Sequence, residues 1–176
     1  MKRINDLQGG MLQDRRGQLA VWGFLCMLIF IALCAGLVDI YRLYAARNWA
    51  YTLAQEAALS GVSNGRDWLA VLAQGELCLD AHTAKNETEQ VITAEMNARG
   101  ISGYRVLVQV LPNPDGGVVP GFPPRAVRLG SGMGDWSSDE PAVGVYLEVP
   151  VSWVLMDLLH VADKSVHVFA AAGVAQ

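Results

Sequence analysis

Charge is scarce in this sequence. Only 17% of its 176 residues are Asp, Glu, Lys or Arg, and the net charge of -4 leaves no basic surplus. A nucleic-acid partner needs a basic face to neutralise phosphates, so that class is excluded. Cysteine is scarcer still, with Cys26, Cys34 and Cys78 alone. Cys26 and Cys34 fall in one apolar helical stretch, about 12 Å apart along its axis, beyond the reach of a disulfide. The three thiols therefore read as small apolar side chains rather than a disulfide framework.

Catalytic signatures are missing too. There is no HExxH, CxxC, Walker loop or dinucleotide glycine motif, so the metal, thiol-redox and phosphate sites those spacings build have no support. Asp157, His160 and Asp163 fall three apart and would share one helix face. That spacing suits metal ligands but equally suits the solvated face of a short helix, and the second reading is preferred. Asp80-Ala81-His82 is weaker still. Asn86-Glu87-Thr88 matches an N-glycosylation triplet, which is short enough to arise by chance. Gly130–Gly134 is glycine-rich without a strand-to-helix turn around it. The expectation is no catalytic residue, no cofactor, no metal, no nucleic-acid partner and no small-molecule substrate.

What the sequence does have is a long apolar run. Leu19 to Val38 is uncharged for twenty residues, which as a helix spans roughly 30 Å, the thickness of a bilayer's hydrocarbon core. In lipid every main-chain amide must be paired internally, so a helix is the expected conformation. A secretory signal has a shorter apolar core, about 7–15 residues, so a permanent anchor is expected, with membrane lipid as a partner. Lys2, Arg3, Arg15 and Arg16 precede the run, against Arg42 and Arg47 after it. That bias puts the N-terminus in the cytoplasm and the rest outside.

The organisation expected is a short tail over 1–17, a membrane helix over 18–39, an extension of that helix over 40–62, and an outer α+β domain over 63–176. The extension stops at Ser60-Gly61 in this reading. Ala32 and Gly36 make a small-xxx-small pair suited to close helix packing in lipid. Ala46, Ala50, Ala54 and Ala58 recur every four residues, either as a second packing stripe or as good helix formers. Asp39 and Arg42, three apart at the outer boundary, either mark the end of the span or pair with a neighbouring subunit; Arg15 and Arg16 bound the other end.

In the outer domain, Asp67–Gln74 reads as a short helix, Asp80–Glu87 as a polar stretch, and Glu87–Gly100 as an amphipathic helix with Val91, Ile92 and Met96 inward. Alternation then predicts strands in "YRVLVQV", "AVGVYLEVPVS" and "SVHVFAAAGVA", with "WVLMDLLHVAD" as a short helix before the last. Between Pro112 and Pro141 lie six of the seven prolines and six glycines, so the stretch cannot be one regular element. A strand at Arg125–Leu129 would make it an elaborated hairpin, and a connection of this length is a candidate contact surface. The sum is an α+β fold, a long N-terminal helix followed by a small antiparallel sheet packed on helix.

Three stretches, "RRGQLAVWGF", "GLVDIYRLYAARNWAYTLAQEAALSGV" and "VYLEVPVSWVLMDLL", together resemble the TadE/TadG-like family, the pilin-like proteins of the bacterial tight-adherence (Flp) pilus machinery. The resemblance is strongest over Arg15–Val62, weaker over Val143–Ala172, and absent from Pro112–Pro141. It implies a pseudopilin-like component of the bacterial inner membrane that acts in pilus assembly or enters the filament as a minor subunit. Its partners would be other pilins, pilus-assembly proteins or further copies of itself. In prepilin-type members a peptidase cuts after a glycine that a glutamate follows five residues later. Gly17-Gln18 matches the cleavage position, but the fifth residue after Gly17 is Trp22. The expectation is accordingly an uncleaved, resident component. The rival expectation is a single-pass anchored module that binds or senses a ligand outside the membrane.

Overall fold

The computed structural model describes residues 3–125, 127, 134–153 and 165–174, with side chains from Gly17 onward except that of Gln74. The fold is α+β, a long N-terminal helix followed by a small antiparallel sheet packed on it. Helix α1 runs unbroken over Arg3–Asn64. Over Leu19–Val38 its large apolar side chains are exposed, Phe30 and Leu37 each to 67%, and its most apolar window has a mean hydropathy of 2.6. By length and composition α1 can cross a membrane.

The chain divides into two units. The first takes in α1 as far as Tyr41 together with residues 153–161; the second takes in 42–152 and 162–176, with the rest of α1 and all the described strands. Within the second unit, α1 does not stop at Gly61 as expected but continues to Asn64, because Gly61 is a packing position rather than a terminus. A Cβ there would collide with Thr88 Oγ1 and lie 2.9 Å from the Ala84 carbonyl oxygen. Gly65, one turn on, meets Ala84 in the same way. Two glycines thus let α1 approach helix α3 (Ala81–Ala98) to near backbone contact.

Helix α3 also starts earlier than its apolar spacing suggested. The Asp80 carboxylate accepts the His82 amide at 3.0 Å and the Thr83 hydroxyl at 2.6 Å. That cap starts the helix six residues ahead of Glu87. Helix α2 (Trp68–Gln74) is capped in the same manner by Asp67 and ends at Gly75 in the left-handed conformation.

Three strands form the main sheet, β1 (Arg105–Leu111), β4 (Ala142–Pro150) and β5 (Ser165–Gly173), in the order β1-β4-β5, all antiparallel. Period-two alternation gives the sheet two apolar faces. Val143, Val145, Leu147 and Val149 of β4 and Val166, Val168 and Ala170 of β5 share one core with Ala50, Leu53, Ala54, Ala57, Ala58 and Val62 of α1 and Ile92 and Met96 of α3. The opposite face carries Leu111, Ala142 and Tyr146, covered by Phe122 and Trp136.

That cover comes from the proline- and glycine-rich connection. Two short strands in it, β2 (Gly117–Val119) and β3 (Trp136–Ser138), pair antiparallel. The expected strand at Arg125–Leu129 is not where the connection forms its ladder. Arg125 and Val127 are irregular, and the rest of that stretch apart from these two lies outside the described residues. The "WVLMDLLHVAD" helix and Asp157, His160 and Asp163 also fall outside them. Trp136 lies against β4 at Gly144, where a Cβ would be 2.9 Å from the indole. Phe169 packs edge-on against Phe122 and Trp136, whose own rings are tilted at 59°, with all centroids 5.5 to 6.1 Å apart, the edge-to-face geometry being one aromatic rings prefer.

Candidate functional site

Among the described residues β5 is an edge strand, and a cleft of about 730 Å³ lies beside it. Five consecutive residues, His167 to Ala171, bound this cleft. Side chains of consecutive strand residues point to opposite faces, so a cavity touching five in a row must run along the edge of the strand. Its walls come from the two faces of the sheet. Tyr44, Arg47, Asn48 and Tyr51 of α1 form one, and Phe122, Pro123, Val127, Trp136 and Ser137 of the connection form the other. The result is a slot with a main-chain floor. At its mouth an Arg47 guanidinium N–H donates to the Val127 carbonyl at 3.1 Å, tying one wall to the other.

Which main-chain groups face the slot follows from the register. Val174 N–H donates to the Pro141 carbonyl at 3.0 Å, and that pair continues the β4–β5 register in which Ala172 opposes Val143 and Ala170 opposes Val145. In an antiparallel ladder, hydrogen-bonded pairs recur at every second residue. Val168, Ala170 and Ala172 therefore spend their main-chain groups on β4. Phe169 and Ala171 turn theirs outward, to the slot.

A polar cluster sits at one end. Tyr146 Oη and His167 Nδ1 are 2.9 Å apart, and Ser165 Oγ donates to Glu148 Oε1 at 3.0 Å. Arg125 reaches His167 Nε2 at 3.3 Å, and Glu148 Oε2 lies 3.8 Å from Nδ1. The period-two pattern puts Tyr146, Glu148, Ser165 and His167 on one sheet face, so the cluster is a product of β4–β5 pairing.

The residues singled out from sequence are distributed differently. Ala50, Ala54 and Ala58 are fully buried in the second unit's own core, with Ala46 packed beside them. Ala32 is exposed and Gly36 half-buried. Asp39 is buried, 1% exposed, and Arg42 exposed. Gly17 and Gln18 lie on exposed helix surface, and the side chains of Arg15 and Arg16 are outside the described set. None of these lines the slot. Cys26, Cys34 and Cys78 are free thiols. Thr88 of the glycosylation triplet is buried and donates to the Ala84 carbonyl at 2.8 Å. No group of three or more His, Cys, Asp or Glu suited to a metal occurs among the described residues. The slot was missed because no spacing marks a strand as an edge; only the pairing order does.

No known protein family, no curated protein and no solved structure matches the chain.

Proposed function

We propose that the chain is a membrane-anchored, pseudopilin-like component of a tight-adherence pilus, acting in assembly or as a minor filament subunit. The observation that supports this reading is a single helix with two kinds of surface. Over Leu19–Val38 it shows lipid-compatible side chains outward, and from Ala50 to Val62 the same helix supplies one side of a folded core. The resemblance of Arg15–Val62 to TadE/TadG-like proteins gives the reading its specific content. Under it the protein resides in the bacterial inner membrane as a single-pass protein, N-terminus in the cytoplasm, with the second unit outside.

Ala32 and Gly36 are the small pair left to pack against a neighbouring helix, since Ala50, Ala54 and Ala58 are taken up by the chain's own core. N-terminal sequencing of protein from membranes and from sheared filaments tests the proposal. An intact leader in the membrane fraction is expected of a resident assembly factor. A start at Gln18 in the filament fraction makes it a subunit, and recovery as a freely diffusing soluble species defeats both. A cysteine at Ala32, with Cys26 and Cys34 replaced, should give crosslinks in intact membranes; exclusively monomeric behaviour counts against the assembly role. The slot beside β5 supports a second reading, an anchored module that binds a ligand outside the membrane.

A further inference from the structure

We propose that helix α2 is a self-association surface, pairing antiparallel with the same helix of a second copy of the chain. Residues 66–79 form an excursion closed at its base by two main-chain bonds. Asp67 N–H donates to the Cys78 carbonyl at 3.0 Å, and Asp80 N–H to the Gly65 carbonyl at 2.7 Å. Caps at both ends fix the helix between them. What this frame holds outward is apolar. Trp68 is 61% exposed, Leu69 79% and Leu72 83%, with exposed Ala73 beside them. Helical spacing puts these four on one face, opposite the half-buried Ala70 and Val71. The three large side chains expose apolar surface on the order of 400 Å², a patch of the size that is often functional.

The charges at its ends choose the occupant. The Arg66 guanidinium lies over the Trp68 ring, 6.0 Å from its centroid, and Glu76 is exposed just past the C-cap. Among the described residues neither makes an ion pair, and Arg66 Nε is buried without a hydrogen-bond partner. The neighbouring acids are spent elsewhere. Asp67 accepts from the Leu69 and Ala70 amides, and Asp80 from the His82 amide and the Thr83 hydroxyl. The face thus begins at an unpaired cation and ends at an unpaired anion. A second α2 laid antiparallel reverses that order, so Arg66 meets the partner's Glu76 at both ends. The same arrangement sets Trp68 over the partner's small Ala73 and Leu69 against the partner's Leu72. A lipid surface matches less well, because anionic headgroups attract basic segments and here Arg66 stands against Asp67, Glu76 and Asp80. Two such faces bury on the order of 800 Å² in total, below the roughly 1,200 Å² of a stable interface. Pairing is therefore weak in free solution and gains from holding the copies in one bilayer; to that extent it rests on the reading of α1 as an anchor.

The test uses the full-length chain carrying Cys26→Ser, Cys34→Ser, Cys78→Ser and Leu72→Cys, reconstituted in phosphatidylcholine vesicles. A short bismaleimide should link it into dimers, whereas Val118→Cys in the same background, at a position 61% exposed on β2, should not link. Glu76→Arg should weaken the pairing about tenfold, because a symmetric contact loses two ion pairs at once. Adding Arg66→Glu should restore it. Linking that is equal at Val118, unchanged by Glu76→Arg or not restored by the double exchange overturns the proposal. A Leu72→Cys thiol shielded from a water-soluble maleimide without forming dimers assigns the face to lipid and overturns it. A thiol that stays open to the reagent at every protein density leaves the face to a different protein, with the same result. Vesicle flotation separates the two failures. Protein that floats without dimers overturns the pairing alone, and protein that does not float overturns the anchor and the pairing with it.

Discussion

At Gly61 the helix has no room for a side chain. Replacing a helical glycine by alanine ordinarily stabilises by up to about 1 kcal/mol. There, however, the added Cβ runs into Thr88 Oγ1 and the Ala84 carbonyl, and overpacking of this kind costs about 1–3 kcal/mol. The clash outweighs the propensity, so Gly61→Ala should lower stability in thermal or urea unfolding, whereas Gly23→Ala, with open space around it, should not. Asp80 shows a second residue-scale effect. The Thr83 hydroxyl and then the His82 amide donate to its carboxylate and hold its pKa below the ordinary aspartate value. The unfolded chain takes up the proton first as pH falls. The cap's contribution is therefore complete above the unfolded pKa of about 3.9 and is lost as pH drops through the lower folded value. Protection of the His82 and Thr83 amides, relative to the unstructured exchange rate at each pH, should fall on acidification through that window, and Asp80→Asn should remove that dependence.

At the scale of elements, capping and packing decide boundaries that apolar spacing alone misplaces. Alternation located β1, β4 and β5 because a half-buried strand writes its period directly into the sequence. The start of α3 was not legible, since its first turns are mostly polar and carry only small apolar residues, Ala81 and Ala84, and the Asp80 side chain shows where the helix begins. Asp67 performs the same task for α2, accepting from the Leu69 and Ala70 amides at 3.0 and 3.1 Å. Asp67→Ala should destabilise α2 locally by about 1 kcal/mol, read as faster exchange at those two amides. Among the contacts that hold the connection between β1 and β4 is the close approach of Trp136 to Gly144. Gly144→Val fills that space and should loosen the cover by about 1–3 kcal/mol, detected as proteolytic cutting between β2 and β3 under conditions that spare the parent chain.

On the scale of the whole molecule, α1 belongs to two environments. Its part from Arg42 onward lies within the unit that holds the sheet, so the extension belongs to that unit's own fold. A fragment spanning 42–176 should therefore fold and remain soluble without detergent, while the full chain needs it. Circular dichroism and sedimentation check this, and aggregation of the fragment would show that the sheet depends on residues 1–41. Leu28→Arg places a charge in the middle of the exposed apolar run, at a cost of about 2.5–3.5 kcal/mol for insertion at a bilayer centre. Membrane recovery should fall accordingly.

By itself the sequence determined the anchor-like helix and the three strands, because both are periodic statements about which residues must leave water. A twenty-residue uncharged run and an alternating valine ladder each have one economical solution. It did not determine where the alanine row points, how the connection covers the second sheet face, or that β5 is an edge with Phe169 and Ala171 turned outward. Those depend on contacts between residues far apart in the chain. Ala50 meets the sheet, Trp136 meets Gly144, and Arg47 reaches Val127 only after the strands have paired in their particular order, and local patterning carries no record of that order.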